Sequence, residues 1–367
     1  MSLPPRPEVD GMSICQHGGI DYTEMEELGI IPEEILDFSA NLNPFGPPPG
    51  VRKALGEVDI THYPDSEATH LRRFLAEKLG VVPGNILVGS GSTELIRLVA
   101  LAYFGQGDHV LIIEPTFGEY EVACQIVGAS LIKQRLSAEN TFQLRIEETI
   151  ELIYQRRPKG VFIANPNNPT GQYISCSEFE KLLDASGDSL VVLDEAYITF
   201  ADNSWSSIDM IERNNLLILR SMTKDYALAG LRLGYGVARG EIIDILRRIR
   251  PPWNVNAIAQ QIGIIAMQAE GYLKRCQVEL RKAKDYLVAE LSCLGLSLIP
   301  SEANFFLVEV GNAREFRHNL LERQILVRDC SSFGLPSYVR IAPRTLPECQ
   351  RLVAAIKEMR GRYQDAS

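Results

Sequence analysis

The stretch from Arg220 to Gly236, R-S-M-T-K-D-Y-A-L-A-G-L-R-L-G-Y-G, decides how this chain is read. The apolar run Leu216 to Leu219 precedes it, and small residues, Arg232 and a Gly-Tyr-Gly follow Lys224. That pattern predicts a strand closing in a tight turn at the lysine. An ε-amino group becomes a nucleophile toward an aldehyde once its pKa falls, and partial desolvation beside the cations Arg220 and Arg232 would lower it. Lys224 is therefore the candidate Schiff-base lysine; the alternative is a lysine simply solvated in a polar turn.

Two further polar clusters stand upstream, each after an apolar strand. N-P-N-N-P-T-G (Asn165 to Gly171) follows Gly160 to Ala164, and D-E-A-Y (Asp194 to Tyr197) follows Ser189 to Leu193. Three strand ends thus point at one place. With S-x-T-K-x-x-x-L-A-G-L-R-L-G-Y as its most specific signature, the chain resembles the fold-type I pyridoxal-phosphate enzymes, in particular the class I/II aminotransferase superfamily. The resemblance covers nearly the whole chain. It implies an α/β fold: a large domain with a mostly parallel, mixed seven-stranded sheet between helices, and a small α+β C-terminal domain.

Composition agrees with that size and excludes other classes. The chain has 367 residues, 46% hydrophobic and 23% charged, which suits a large folded domain with a smaller one rather than a disordered or fibrous protein. A formal charge of -10 argues against a nucleic-acid partner and leaves any anionic ligand to local cations. No run of eighteen apolar residues and no apolar leader are seen, so no membrane association and a cytoplasmic location are expected. The seven cysteines lack C-x-x-C spacing and the five histidines lack H-x-x-x-H spacing. Reduced thiols and no metal are expected.

Residues 1–50 read as an arm rich in loops, holding His17-Gly18-Gly19, a short acidic segment and the proline-rich D-F-S-A-N-L-N-P-F-G-P-P-P from Asp37. Residues 51–270 carry alternating strand and helix patterns, with strands expected near Ile86, Val110, Ser130, Val161, Leu190, Leu216 and Gly234. A long charged helix, about Gly271 to Leu294, leads into a smaller unit, residues 271–367. Its expected strands are Ser297 to Ile299, Asn304 to Val308, Ile325 to Arg328 and Tyr338 to Ile341.

Local chemistry and the resemblance together nominate a site. Gly91, Ser92 and Thr93 form a glycine-rich turn entering a helix, whose N-H groups suit the phosphate of the cofactor, pyridoxal 5'-phosphate, although many such turns are only helix caps. The resemblance adds Ser221, Thr223 and Arg232 to that phosphate, with a surface ion pair as the other use of Arg232. It gives Asp194 to the pyridine nitrogen, where a carboxylate makes the ring an electron sink. Asn168 and Tyr197 would reach the ring oxygen, though Asn168 also suits an Asx-turn. Phe117 stands where the family stacks an aromatic ring, and Tyr63 where a residue reaches the partner subunit's cofactor, implying a homodimer with shared sites. Arg340 matches the arginine that clamps a substrate carboxylate.

Fold does not choose the reaction. Two branches of the superfamily look nearest, threonine-phosphate decarboxylases and histidinol-phosphate aminotransferases, and both act on a small phosphorylated amine or amino acid. The H-G-G at His17, the run from Asp37 and the C-terminal V-R-D-C-S-S-F-G-L-P…Y-V-R-I-A-P-R favour decarboxylation of L-threonine O-3-phosphate, a step of cobalamin biosynthesis. Pro343 departs from the small apolar residue usual there and leaves the aim of Arg344 open. The aminotransferase, a histidine-biosynthetic enzyme, is the alternative. His17, Asn41, Arg328 and Arg344 are the candidate donors to the substrate phosphate, with an unpartnered loop histidine as the other reading of His17. A non-catalytic binding module with a degenerate site is the reading from outside enzymology, and the intact Lys224, Asp194 and Arg232 set speaks against it.

Overall fold

The computed structural model describes residues 3–202, 204–213 and 215–364, without the side chains of 361–364. Its strands are β1 (Leu36–Asp37), β2 (Ile86–Gly89), β3 (His109–Glu114), β4 (Ser130–Arg135), β5 (Gly160–Ala164), β6 (Leu190–Asp194), β7 (Leu216–Ser221), β8 (Gly234–Ala238), β9 (Ser297–Leu298), β10 (Phe306–Glu309), β11 (Ile325–Leu326), β12 (Arg328–Asp329) and β13 (Tyr338–Ile341). Seven of them form one sheet in the order β2-β8-β7-β6-β5-β3-β4. All its pairs are parallel except the two made by β8. The expected mixed, mostly parallel α/β sheet is what the chain forms.

The inner strands read as unbroken apolar runs because helices cover both faces of the sheet. Side chains alternate between the faces with period two. Val161 and Ile163 of β5, with Val191 and Leu193 of β6, enter one buried cluster. Phe162 and Val192 enter the other. With no solvated face to fix register by polarity, the strand ends carry the polar residues.

Register then assembles the site. Ala164 pairs with Asp194, Asp194 with Leu219, and Ser221 with Gly234, which also pairs with Gly89. The ends of β5, β6, β7 and β2 therefore lie along one sheet edge, the place where open α/β sheets bind ligands. Lys224 lies in a single helical turn, Met222–Asp225, rather than in the expected tight turn. Ser221 caps it by accepting from the Thr223 N-H.

The C-terminal part forms an antiparallel sheet, β12-β13-β10-β9. Phe306, Val308, Val339 and Ile341 bury one face of it against Leu287 and Leu291 of the helix Tyr272–Cys293 and Leu352 and Ile356 of the helix Leu346–Gln364. The strand expected from Ile325 to Arg328 splits at Val327. Its first half, β11, pairs in parallel with β1 of the arm, and its second half, β12, pairs with β13.

The arm also holds a helix, Tyr22–Leu28, inside the acidic segment expected to be loop. Asp21 caps its start, and Gly29, at φ 66, ends it in the left-handed conformation glycine adopts freely. Met25 is its one buried residue and packs against Leu321 and Leu326. A helix this short forms because caps and packing hold it, not through propensity.

Candidate active site

The phosphate cradle is built where β2 gives way to the helix Ser92–Tyr103. Gly91, at φ 78, sits so close to the Arg232 guanidinium that a Cβ there would lie 2.8 Å from one of its nitrogens. A Cβ on Gly234 would lie 2.7 Å from the Ser92 amide nitrogen. The two glycines let three backbone segments converge, leaving the helix N-terminus, Ser92 and Thr93 beside Arg232. Arg232 is itself left-handed at φ 55, and among the described residues its guanidinium hydrogen-bonds to the Ala229 carbonyl at 3.3 Å. Ser221 and Thr223 are buried and share a 2.7 Å hydroxyl hydrogen bond. A positive helix end, a guanidinium and two hydroxyls suit a dianionic phosphate.

Lys224 keeps some exposure while packed among charged groups. Its pKa is lowered to about 8, chiefly by burial; the Asp194 charge opposes the fall, Arg232 and Arg340 add to it, and Asp225 opposes it. The expected second cation, Arg220, is elsewhere: it is bound to buried Glu195 at 2.7 Å. Arg340, over a hundred residues downstream, takes its place.

Asp194 is buried at the end of β6, and burial raises its pKa. It accepts from the Tyr120 hydroxyl at 2.7 Å and from the Ala196 N-H at 2.9 Å. Such a carboxylate is held in place and favours a cationic partner. Tyr120 was not among the residues nominated from sequence. It stacks on Phe162 with centroids 4.9 Å apart and meets the Phe117 ring edge-on at 5.7 Å. Phe117 is thus braced against the residue that holds Asp194.

Tyr197, Asn168 and Arg340 form a further group of contacts. The Asn41 amide donates to the Tyr197 hydroxyl at 3.2 Å, while Asn41 Oδ1 is buried with no partner. Arg340 is 4% exposed, donates to Asn168 Oδ1 and to the Ser39 carbonyl (2.7 Å), and lies over the Phe305 ring at 5.4 Å. No carboxylate pairs with it among the described residues. A buried guanidinium without a counter-anion is costly unless a ligand supplies one. Gly18 matters here, because a Cβ on it would lie 2.4 Å from the Ser39 carbonyl oxygen. The H-G-G segment is packed directly against the arginine's support.

The remaining nominees divide. Arg328 lies opposite Arg340 in the β12–β13 register and donates to the Gln16 carbonyl and the Ser332 hydroxyl. Its Nε has no partner. Arg344 is not free for a substrate: it pairs with Glu348 at 2.8 Å and donates to the Asp37 carbonyl. Glu348 also caps the last helix through Thr345. His17 meets Glu119 at 3.2 Å rather than an open cavity. Tyr63 is 78% exposed and stacks on Trp253 at 4.3 Å, on the outside of its own chain. Asn43, also unforeseen, donates from its backbone to the Lys224 carbonyl and from its amide to the Asp225 carbonyl. The arm therefore grips the lysine's own turn. A groove of about 980 Å³ runs past Phe117, Cys15 and Ser331 and includes neither Lys224 nor Asp194 in its lining.

The sequence matches a known family over most of the chain. Residues 33–356 fit the model of aminotransferase class I and II. The chain belongs to this family. Among sequence relatives, this class I/II aminotransferase is 36% identical to the histidinol-phosphate aminotransferase of Moorella thermoacetica over 91% of this chain and 87% of that one. Among solved structures it resembles the histidinol-phosphate aminotransferase of Clostridium acetobutylicum, with TM-score 0.82 and 28% identity over 89% and 99% of the two chains. It also resembles the L-threonine-O-3-phosphate decarboxylase of Porphyromonas gingivalis, with TM-score 0.78 and 30% identity over 88% and 98%.

With its family, the protein is a pyridoxal 5'-phosphate-dependent enzyme of fold type I. The cradle that only glycine permits at position 91, the buried acceptor Asp194 and the lowered lysine all fit that cofactor. Once bound, it supplies an electron sink for a carbanion at the carbon bearing the substrate amine.

Proposed function

We propose that this aminotransferase acts on a small phosphorylated amine, with histidinol phosphate as the amino donor, and that the decarboxylase preference drawn from its motifs is to be set aside. What supports this most is the 36% identity to a histidinol-phosphate aminotransferase over 91% of this chain and 87% of that one. A structural observation supports it: Arg344, on which the decarboxylase reading leaned, is held by Glu348.

Histidinol phosphate has no α-carboxylate, whereas the oxo acid or amino acid of the other half-reaction has one. Arg340 would meet a phosphate in one half and a carboxylate in the other, and a guanidinium suits both anions. Arg328, with its free Nε, would add a second positive charge for the phosphate. Lys224, near pKa 8, would take the proton from the carbon that bears the substrate amine, a task suited to a group titrating near neutrality. Asp194, Asn168 and Tyr197 would hold the cofactor ring, with Phe117 stacked on it and Gly91, Ser92, Thr93, Ser221, Thr223 and Arg232 on its phosphate.

We also propose a homodimer in which Tyr63 serves the neighbouring site; its outward exposure beside Trp253 supports this. Among the described residues no helix is long and apolar enough to cross a membrane.

The threonine-phosphate decarboxylase remains the competing reading because a solved enzyme of that name is 30% identical across nearly its whole length. Single turnovers separate the two. Histidinol phosphate should convert the bound cofactor stoichiometrically to pyridoxamine phosphate, and phosphothreonine should release no carbon dioxide. Carbon dioxide from phosphothreonine, with no reaction of histidinol phosphate, would overturn the proposal.

A further inference from the structure

The histidines and cysteines lack the linear spacing of metal sites, yet the fold gathers three ligand types across a hundred residues. Cys15 Sγ, a ring nitrogen of His17 and a Glu119 carboxylate oxygen all lie within 4.8 Å of one another. His17 Nε2 stands 3.2 Å from Glu119 Oε1. Two ligands at about 2.0–2.1 Å from a tetrahedral zinc ion are separated by roughly 3.3 Å, so the pair already has the edge length of such a site. Gly118 makes room for the sulfur: a Cβ there would lie 2.7 Å from Cys15 Sγ.

The surroundings are those of a ligating carboxylate. Glu119 is buried, its side chain 6% exposed, and its second oxygen accepts from Arg97 at 3.0 Å. That contact fixes the carboxylate and aims Oε1 toward His17, as outer partners of metal ligands do. The His17 side chain is 50% exposed, and Cys15 lines the open groove beside Phe117, so a cation has a path in. A thiolate and a carboxylate with one neutral imidazole balance a dication. The sulfur and nitrogen donors select zinc over magnesium or calcium.

We propose that Cys15, His17 and Glu119 form a three-ligand zinc site, with a fourth position open to water, that fastens the N-terminal arm to the helix Glu119–Ile126. Zinc there closes the arm over the mouth of the groove, next to the aromatic shelf of Phe117. The Cys15 proton leaves to solvent as the metal–sulfur bond forms, and no oxidant or reductant is needed. The site does not depend on which substrate the enzyme takes.

The test uses the full-length, cofactor-loaded protein after treatment with a chelator. Zinc is titrated in competition with a chromophoric zinc chelator, for the wild type and for Cys15→Ala and His17→Gln. One zinc per chain is expected in the wild type. Each variant should bind it at least about tenfold more weakly, since loss of even an outer-shell partner costs about 10–100-fold. Zinc should also slow alkylation of Cys15 in the wild type. The cofactor's visible absorbance checks that each variant is folded. No zinc uptake by the wild type, or equal affinity in folded Cys15→Ala, would overturn the site.

Discussion

Lys224 is the nucleophile we propose, and burial, more than any single neighbour, pulls its pKa to about 8. Deprotonation makes the amine nucleophilic, so the sign is fixed: capture of pyridoxal phosphate by cofactor-free enzyme should accelerate as pH rises and level off above about 8. A stopped-flow pH series on the visible absorbance checks this, and a rate that is flat from pH 6 to 9 would place the titrating group elsewhere. Asp194→Ala should lower turnover by about 10²–10⁴-fold, the scale for a positioned electrostatic or proton-handling group. Tyr120→Phe removes a hydrogen bond to a buried carboxylate and should cost about 1.5–3 kcal/mol of stability, read from denaturant unfolding of the cofactor-free protein. Tyr120 was invisible in the sequence although it stands three residues after Phe117, because its hydroxyl meets Asp194 across 74 residues and the residue otherwise looks like core. Lys224, Asp194 and Arg232 were legible because each stands directly at a strand end or in the signature turn. Arg220 misled for the same reason: proximity in sequence said nothing of Glu195, which claims it.

Glycine positions decide whether the elements can meet. Gly91→Ala places a Cβ 2.8 Å from the Arg232 guanidinium at a backbone φ of 78. It should weaken cofactor binding at least about tenfold, or about 1.4 kcal/mol, while leaving the sheet intact. Equilibrium dialysis of the cofactor with far-ultraviolet circular dichroism as control is the measurement, and unchanged affinity would remove the cradle from the account. The inner strands β3, β5, β6 and β7 of the large sheet could be read from sequence because strands buried on both faces are continuous apolar runs. The arm helix Tyr22–Leu28 and the split of β11 from β12 could not, since both depend on what they pack or pair with. Arg344 was equally hidden, because only the fold shows that Glu348 one helical turn on takes its charge.

At the scale of the molecule, the arm links the parts of the site. β1 pairs with β11, Ser39 supports Arg340, and Asn43 holds the Lys224 turn. Movement of the arm would therefore reach Arg340 and Lys224 together, the kind of coupling that active-site lids use. If Tyr63 serves the neighbouring subunit, inactive Lys224→Ala and Tyr63→Ala proteins should regain activity when mixed, because one site of the mixed dimer has both groups. Absence of rescue after confirmed subunit exchange would assign Tyr63 to its own chain. The central claim is that all these contacts serve a lysine joined to the cofactor aldehyde. Borohydride reduction of the purified holoenzyme, followed by digestion and mass spectrometry, tests it most directly. A phosphopyridoxyl group on the peptide carrying Lys224 and loss of the visible band are expected; a label on another lysine, or none with the cofactor bound, would rule out Lys224 as the Schiff-base residue.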